Sequence, residues 1–125
     1  MRDVRYGTSM DIDEANPVVR GRYLECGKGW YKIIADLDER LSALDPDYRV
    51  SQIKEKFGGL RYYADTSNTE VYDEFYACIR EAERLSDMTC ELTGTPGVLM
   101  VRGGWYKTLN PDTAPEGFII ASLED

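Results

Sequence analysis

From Gly29 to Leu44 the apolar residues Trp30, Ile33, Ile34, Leu37, Leu41 and Leu44 recur at the spacing of one helix face. Lys32, Asp36 and Arg40 stand four apart with alternating sign on the other side, a solvated ladder. Asp45-Pro46 ends this helix, because the residue before proline is pushed out of the α region. A second stripe, Val71, Phe75, Cys78, Ile79, Ala82 and Leu85, predicts a helix from about Asn68 to Asp87. Ser67 and Glu70 are spaced as a capping box at its start.

Between the helices the period shortens. Tyr48 to Phe57 predicts a strand and Leu60 to Ala64 its hairpin partner, turning at Gly58-Gly59, where glycine takes positive φ without a Cβ clash. Tyr48 and Val50 share one parity, Ile53 and Phe57 the other, so a bulge near Ser51-Gln52 is expected. After Cys90 the character is again β. Thr95-Pro96-Gly97 reads as a turn, Val98 to Arg102 as a strand, Gly103-Gly104 as a tight turn and Trp105 to Leu109 as the returning strand. Asn110 to Gly117 carries two prolines and reads as loop, and Phe118 to Leu123 as a short strand or helical turn. Residues 1–22 hold no sustained period and read as an irregular N-terminal segment. One helical turn from Ser9 to Ala15 and a short strand through Val18, Val19, Tyr23 and Leu24 are the elements they offer. The expected fold is α+β, one domain over residues 1–125, with two amphipathic helices packed on antiparallel β-hairpins.

A length of 125 residues suits one domain. It can bury about two-thirds of its unfolded surface, enough for a core without covalent staples. Mean hydropathy is −0.47. No apolar run reaches the ~20 residues of a membrane span, and the charged Met1–Arg5 stretch is followed by no apolar region of the signal-peptide kind. The cytoplasm is the expected location, and no membrane partner is expected. Cys26, Cys78 and Cys90 are an odd set at unrelated spacings, which suits reduced thiols better than a disulfide scaffold. The net charge of −8 disfavours non-specific binding to DNA phosphates. Histidine is absent, so the commonest general base and metal ligand is missing.

Three motifs, Cys26-Gly-x-Gly-Trp30, Lys54-Glu-Lys-Phe-Gly-Gly-Leu-Arg-Tyr-Tyr63 and Gly104-Trp-Tyr-Lys-Thr-Leu109, with Cys90-Glu91 between the last two, run through most of the chain. In this order they resemble a family of small, functionally unassigned proteins of tailed phages and prophages. The likeness covers Cys26 to about Ala114, and the Lys54–Arg61 core is its most distinctive part. It implies a mobile-element setting and, over residues 90–114, a small zinc-ribbon-like hairpin. Cys90 stands at the first of the implied ligand positions, but Thr93, Asn110 and Thr113 stand at the other three. A structural zinc takes four N, S or carboxylate donors, so the ribbon is degenerate here and no metal or other cofactor is expected.

Two surfaces remain as candidates. From Asp65 to Glu91 eight acids face only Arg80 and Arg84, so this segment carries six of the eight net negative charges. Glu70, Asp73, Glu74 and Glu81 fall towards one side of its helix, an acidic face suited to a basic surface on a host or defence-system protein. A small acidic phage protein of this kind would act as a counter-defence, anti-CRISPR-like inhibitor. The plainer account is that acids favour a helix N-terminus and solvate a helix back. The alternative surface is the hairpin, where Lys54, Lys56 and Arg61 would hold phosphates of a nucleotide or nucleic acid while Phe57, Tyr62 or Tyr63 stack on bases. Its plainer account is cross-strand aromatic pairing inside a core sheet. No catalytic residues are expected. The carboxylate pairs Asp11/Asp13, Asp36/Asp38 and Asp45/Asp47 lie beside no apolar run, and the thiols lack a base to activate them.

Overall fold

The computed structural model describes residues 12–121. Strands β1 (Val18–Val19) and β2 (Arg22–Glu25) are the first elements of the described residues, so residues 12–22 contain paired strand rather than irregular backbone alone. A 3-10 turn (Lys28–Trp30) leads into helix α1 (Tyr31–Leu44). Strands β3 (Arg49–Lys56) and β4 (Gly59–Asp65) follow. A second 3-10 turn (Thr69–Val71) then enters helix α2 (Tyr72–Ser86). Strands β5 (Val98–Arg102), β6 (Trp105–Leu109) and β7 (Ile119–Ile120) close the described chain. The fold is α+β in one domain: two helices packed with two sheets of mostly antiparallel strands. The proposed turn at Ser9–Ala15 and the end of the Phe118–Leu123 segment fall partly outside the described residues, while Ile119 and Ile120 are strand.

The larger sheet runs β1-β2-β3-β4. One pair in it departs from the hairpin-only expectation: β2 lies parallel to β3, Leu24 opposite Ile53. A parallel pair needs a long connection, and α1 supplies it. The expected bulge is present, with the β3–β4 register shifting between Val50 and Gln52. The hairpin turn itself is displaced by one residue. Lys56 pairs with Gly59, so Phe57 and Gly58 are the two turn residues, both at positive φ (54° and 86°). That is the turn whose twist matches flanking strands, and it takes Phe57 out of the strand.

The main core lies between this sheet and both helices. Trp30, Ile34, Leu37 and Leu41 of the first helical segment meet Ile53, Leu60 and Tyr62 of the sheet and Phe75, Cys78, Ile79 and Ala82 of α2, all buried. Leu85, expected in the α2 stripe, is exposed, and the fully buried Ser86 takes its place. Helix polarity explains the exchange. The Ser86 hydroxyl donates to the Glu83 carbonyl (2.6 Å) and accepts the Leu60 N–H (3.0 Å), so a hydroxyl is needed where the helix meets β4. The cap at the start also differs from the capping-box reading. Asn68 Oδ1 accepts the Glu70 N–H (3.0 Å), and Thr66 Oγ1 accepts the Asn68 N–H (3.1 Å). Asp45 ends α1 with extended backbone, as its proline neighbour requires, and its carboxylate accepts from Thr66 and from the Asp47 N–H. Those bonds hold its carboxyl below the usual carboxylate range.

The smaller sheet, β6-β5-β7, has a core of Cys90, Met100 and Leu109, flanked by Ala114, Phe118 and Ile120. It docks on the larger layer through the residues of the sequence motifs. Gly27 and Gly29 let the backbone of Cys90 and Glu91 approach. A Cβ on Gly29 would fall 2.3 Å from the Cys90 carbonyl oxygen and 2.6 Å from those of Glu91 and the Gly94 nitrogen. Trp30 Nε1 donates to the Thr89 carbonyl (2.8 Å), and the Thr108 hydroxyl to the Gly58 carbonyl (2.6 Å).

Candidate functional site

The joint between the two sheets holds a partly enclosed polar cluster. Lys107 Nζ stands 3.2 Å from Glu55 Oε1 and 3.3 Å from Glu91 Oε1. Glu91 is almost fully buried, and its other oxygen accepts the Gly27 N–H (2.8 Å). Glu55 also accepts the Gly58 N–H (2.8 Å). Burial alone would lower the Lys107 pKa, but the Glu91 and Glu55 carboxylates outweigh it and raise it. Nearby, burial and then the Glu91 charge push the Cys26 thiol up to about 12. Cys26 is thus a protonated thiol at neutral pH, and this ion-paired lysine fills the space between two carboxylates. The cluster fastens one layer to the other and offers no nucleophile.

The ribbon positions come together without a metal-type donor set. Thr93 Oγ1 lies 2.6 Å from Thr95 Oγ1, which accepts from Asn110 Nδ2 (3.0 Å). The Thr113 N–H donates to the Asn110 carbonyl (3.0 Å). Cys90 is buried beside them. Burial works to raise its thiol, yet hydrogen bonds from the Thr93 side chain and the backbone N–H groups of Asn110, Thr93 and Leu92 prevail and lower it. Among the described residues no group of three or more His, Cys, Asp or Glu side chains is placed to hold a metal ion. Hydrogen bonds of hydroxyls, an amide, a thiol and the backbone join these positions to one another.

Several carboxylates of the candidate pairs are engaged structurally. Asp36 pairs with Lys32 (3.0 Å), and Asp38 accepts from Arg20 (3.3 Å) and from the Tyr48 hydroxyl. Asp11 lies outside the described residues, and Asp13 caps its own turn by accepting the Ala15 N–H. Burial, joined by the Tyr62 and Asp38 neighbours, pushes the Tyr48 phenol up, and burial outweighs the Tyr48 hydrogen bond to push the Tyr62 phenol up as well.

The two sequence-derived surfaces divide differently from expectation. Glu70 in the 3-10 turn and Asp73 and Glu74 in the first turn of α2 are exposed, without an ion pair to any described residue. Glu81 is taken out of this set: its carboxylate pairs with Arg40 of α1 at 2.9 Å and ties the helices together. That bond also removes Arg40 from the expected ladder with Asp36. On the hairpin, Tyr62 is not a stacking residue. It faces the helices, is 2% exposed, and its hydroxyl lies 2.7 Å from that of Tyr48. The register places Lys54 opposite Arg61 and Gln52 opposite Tyr63 on the other face. Tyr63 is half-exposed there, and Phe57 at the turn is 70% exposed.

Two arginines counted in the acidic segment were not named in either candidate surface. Arg80 and Arg84 lie in the C-terminal half of that helix and, with Lys56, Phe57 and Arg61, line a polar cleft of about 350 Å³ along the outer edge of β4. Glu83 and Asp87 line it too. Glu83 is committed to the Tyr62 N–H (2.9 Å). Four cations against two carboxylates leave this cleft at about +2, within a chain of net charge −8. The signal that would have found the pair is position: basic residues gather in the last turns of a helix, and β4 runs beside those turns.

The side chains of the remaining described cations all have oxygen partners. Arg20, Lys28, Lys32, Arg40, Arg49 and Lys107 pair with carboxylates, and Arg22 and Arg102 donate to backbone carbonyls. Lys54, Lys56, Arg61, Arg80 and Arg84 have no such partner among the described residues. Lys56 Nζ lies 5.8 Å over the Phe57 ring. Comparison with protein-family models, with curated proteins and with solved structures gave no match. No helix among the described residues is long and apolar enough to cross a membrane.

Proposed function

We propose that the chain is a non-enzymatic cytoplasmic binding protein whose working surface is the basic, aromatic hairpin β3–β4 with the facing turns of α2, and whose ligand is a nucleotide or nucleic acid. One observation carries this reading: the five described cations left without an oxygen partner all lie on this hairpin or on the helix beside it. Guanidinium groups with unused donors bind phosphate oxygens in pairs, with charge-assisted hydrogen bonds. The wider negative field opposes a polyanion at long range, so affinity rests on short-range contacts to few phosphates. Fluorescence anisotropy of a labelled oligonucleotide tests it. Lys56→Glu with Arg61→Glu is expected to abolish binding, and the native chain to show a log K against log salt slope no steeper than about −3, four phosphates at single-strand density. Binding unaltered by the double reversal would refute the reading.

A second reading draws on the exposed Glu70, Asp73 and Glu74 at the start of α2, together with the likeness to phage proteins. Here the acidic face occupies a basic surface on a host or defence-system protein, as a counter-defence inhibitor. Asp73→Lys with Glu74→Lys would then slow association with that partner, and the defect would shrink as salt screens it. Under the first reading the same pair of changes leaves oligonucleotide binding intact or strengthens it.

A further inference from the structure

We infer that the ligand of this surface is single-stranded nucleic acid, held with phosphates in the Lys56–Arg61–Arg80–Arg84 cleft and a neighbouring base between Phe57 and Trp105. The inference rests on the phosphate-ligand reading above and adds a second, separately observed subsite. Trp105, at the tip of the other hairpin, is 70% exposed, as is Phe57. With Glu55, Gly104 and Tyr106 these rings border a hollow of about 260 Å³. Phe57 lines both this hollow and the cationic cleft, so the two subsites adjoin at one ring.

Phe57 is poorly explained by the fold alone. Its φ of 54° is a conformation that Asn, Asp and Gly adopt far more readily than a bulky residue. Its ring contributes nothing to either core, being largely in solvent. A residue that is locally disfavoured and unburied is the pattern found where a ligand is met. The turn that carries it is fixed from both sides, since Glu55 accepts the Gly58 N–H and Thr108 donates to the Gly58 carbonyl. The ring is therefore presented on a rigid support. Trp105 stands opposite Arg102 at the end of the β5–β6 ladder.

The arrangement of the subsites selects among phosphate ligands. Aromatic faces beside a cationic track suit unstacked bases on a flexible backbone. A duplex keeps its bases stacked inward and brings denser negative charge towards a chain of net charge −8. A mononucleotide offers one phosphate group to a cleft lined by four cations.

The chain has two tryptophans, and Trp30 is fully buried, so ligand-dependent quenching of emission reports on Trp105. The full chain is titrated at low salt with a ten-nucleotide oligothymidylate, with a ten-base-pair duplex and with thymidine monophosphate. The single strand is expected to bind at least tenfold more tightly than either other probe and to quench the emission. Phe57→Asn, which suits the turn, is expected to keep or raise the melting temperature while weakening single-strand binding by roughly 5- to 150-fold, the range for losing one stacked base. Trp105→Leu is expected to weaken it within the same range. Equal binding of duplex or mononucleotide, or single-strand binding that leaves emission unchanged and survives Phe57→Asn, overturns this inference and leaves the phosphate-ligand reading standing. No binding of any of the three probes overturns both. A folded Phe57→Asn variant with a lowered melting temperature and unchanged binding would assign the ring to the fold and also overturn it.

Discussion

The two layers of this protein are held together by different forces. Fifteen buried residues from both helices and the larger sheet share one apolar core. The smaller sheet has only Cys90, Met100 and Leu109 in its own. An apolar cluster of that size cannot offset the entropy of ordering some thirty residues. What the smaller layer lacks in burial it obtains from its contacts with its neighbour: two glycines that admit its backbone, the Trp30 indole N–H, the Gly58 carbonyl that accepts from Thr108, and the Glu55–Lys107–Glu91 bridge. The comparison teaches that the motifs most distinctive in the sequence serve largely as the joint. Within the Lys54–Tyr63 stretch, Glu55 and Gly58 fasten, Leu60 and Tyr62 fill the core, and Lys54, Lys56, Phe57, Arg61 and Tyr63 stay partly or fully exposed.

The sharpest break in the comparison comes from emptying the large core. Phe75→Ala should destabilise the whole chain by roughly 3–5 kcal/mol, and Leu37→Ala by roughly 2–5 kcal/mol. Urea unfolding should show both layers lost together, because the smaller one has no independent support. Unfolding of the larger layer that leaves protected amides in β5 and β6 would contradict that dependence.

Gly29→Ala attacks the joint and spares the core. Its Cβ meets backbone atoms of Cys90, Glu91 and Gly94, none of which can swing aside. A loss of about 1–3 kcal/mol is expected, the usual cost of forcing atoms into a packed site. Amide exchange should accelerate in β5 and β6 well before α1. Glu91→Gln, at roughly 1–3 kcal/mol for a buried charged hydrogen-bonding partner removed, should have the same local signature. Uniform acceleration across both layers would mean that the joint is no weaker than the core.

The smallest expected effect depends on pH. Lys107 has a raised pKa in the folded chain, so its contribution is fully present below the ordinary lysine value of 10.5 and is lost as pH climbs through the folded value. The urea midpoint should fall between pH 10 and 12 by more than in Lys107→Arg, which keeps its charge there. Equal alkaline losses in the two proteins would place the sensitivity in the buried Cys26 thiol and the buried tyrosines instead.

Much of the fold could be read from periodicity. The α1 stripe, the β3 bulge and the β5–β6 hairpin follow from patterns that depend on neighbours in sequence. The misreadings arise where distant residues decide. Phe57-Gly58 and Gly58-Gly59 are both plausible turns in isolation, and the Thr108 and Glu55 bonds to Gly58 belong to the first. Tyr62 looked available for stacking, yet the register behind the bulge turns it inward to Tyr48. Glu81 counted as a free acid until α1 brought Arg40 to it. The site was half legible: Lys56, Phe57 and Arg61 could be named, but Arg80, Arg84 and Trp105 join them only through tertiary packing. A segmental charge of −6 concealed two arginines at one end of its helix.

The Ser86 and Glu83 bonds to Leu60 and Tyr62 have a consequence for how molecules of this protein meet one another. A strand with unpaired outward N–H groups is a template on which another chain's strand can be laid down. On β4 two of those groups are already satisfied by helix side chains, and α2 lies along that edge. At the opposite edge, β1 is two residues long, too short to guide a newcomer. Among the described residues, crowding many copies together therefore gives neither edge of the larger sheet a ready template for growth into a fibre. The hairpin carrying the basic surface can stay open to a ligand without also being open to its own kind.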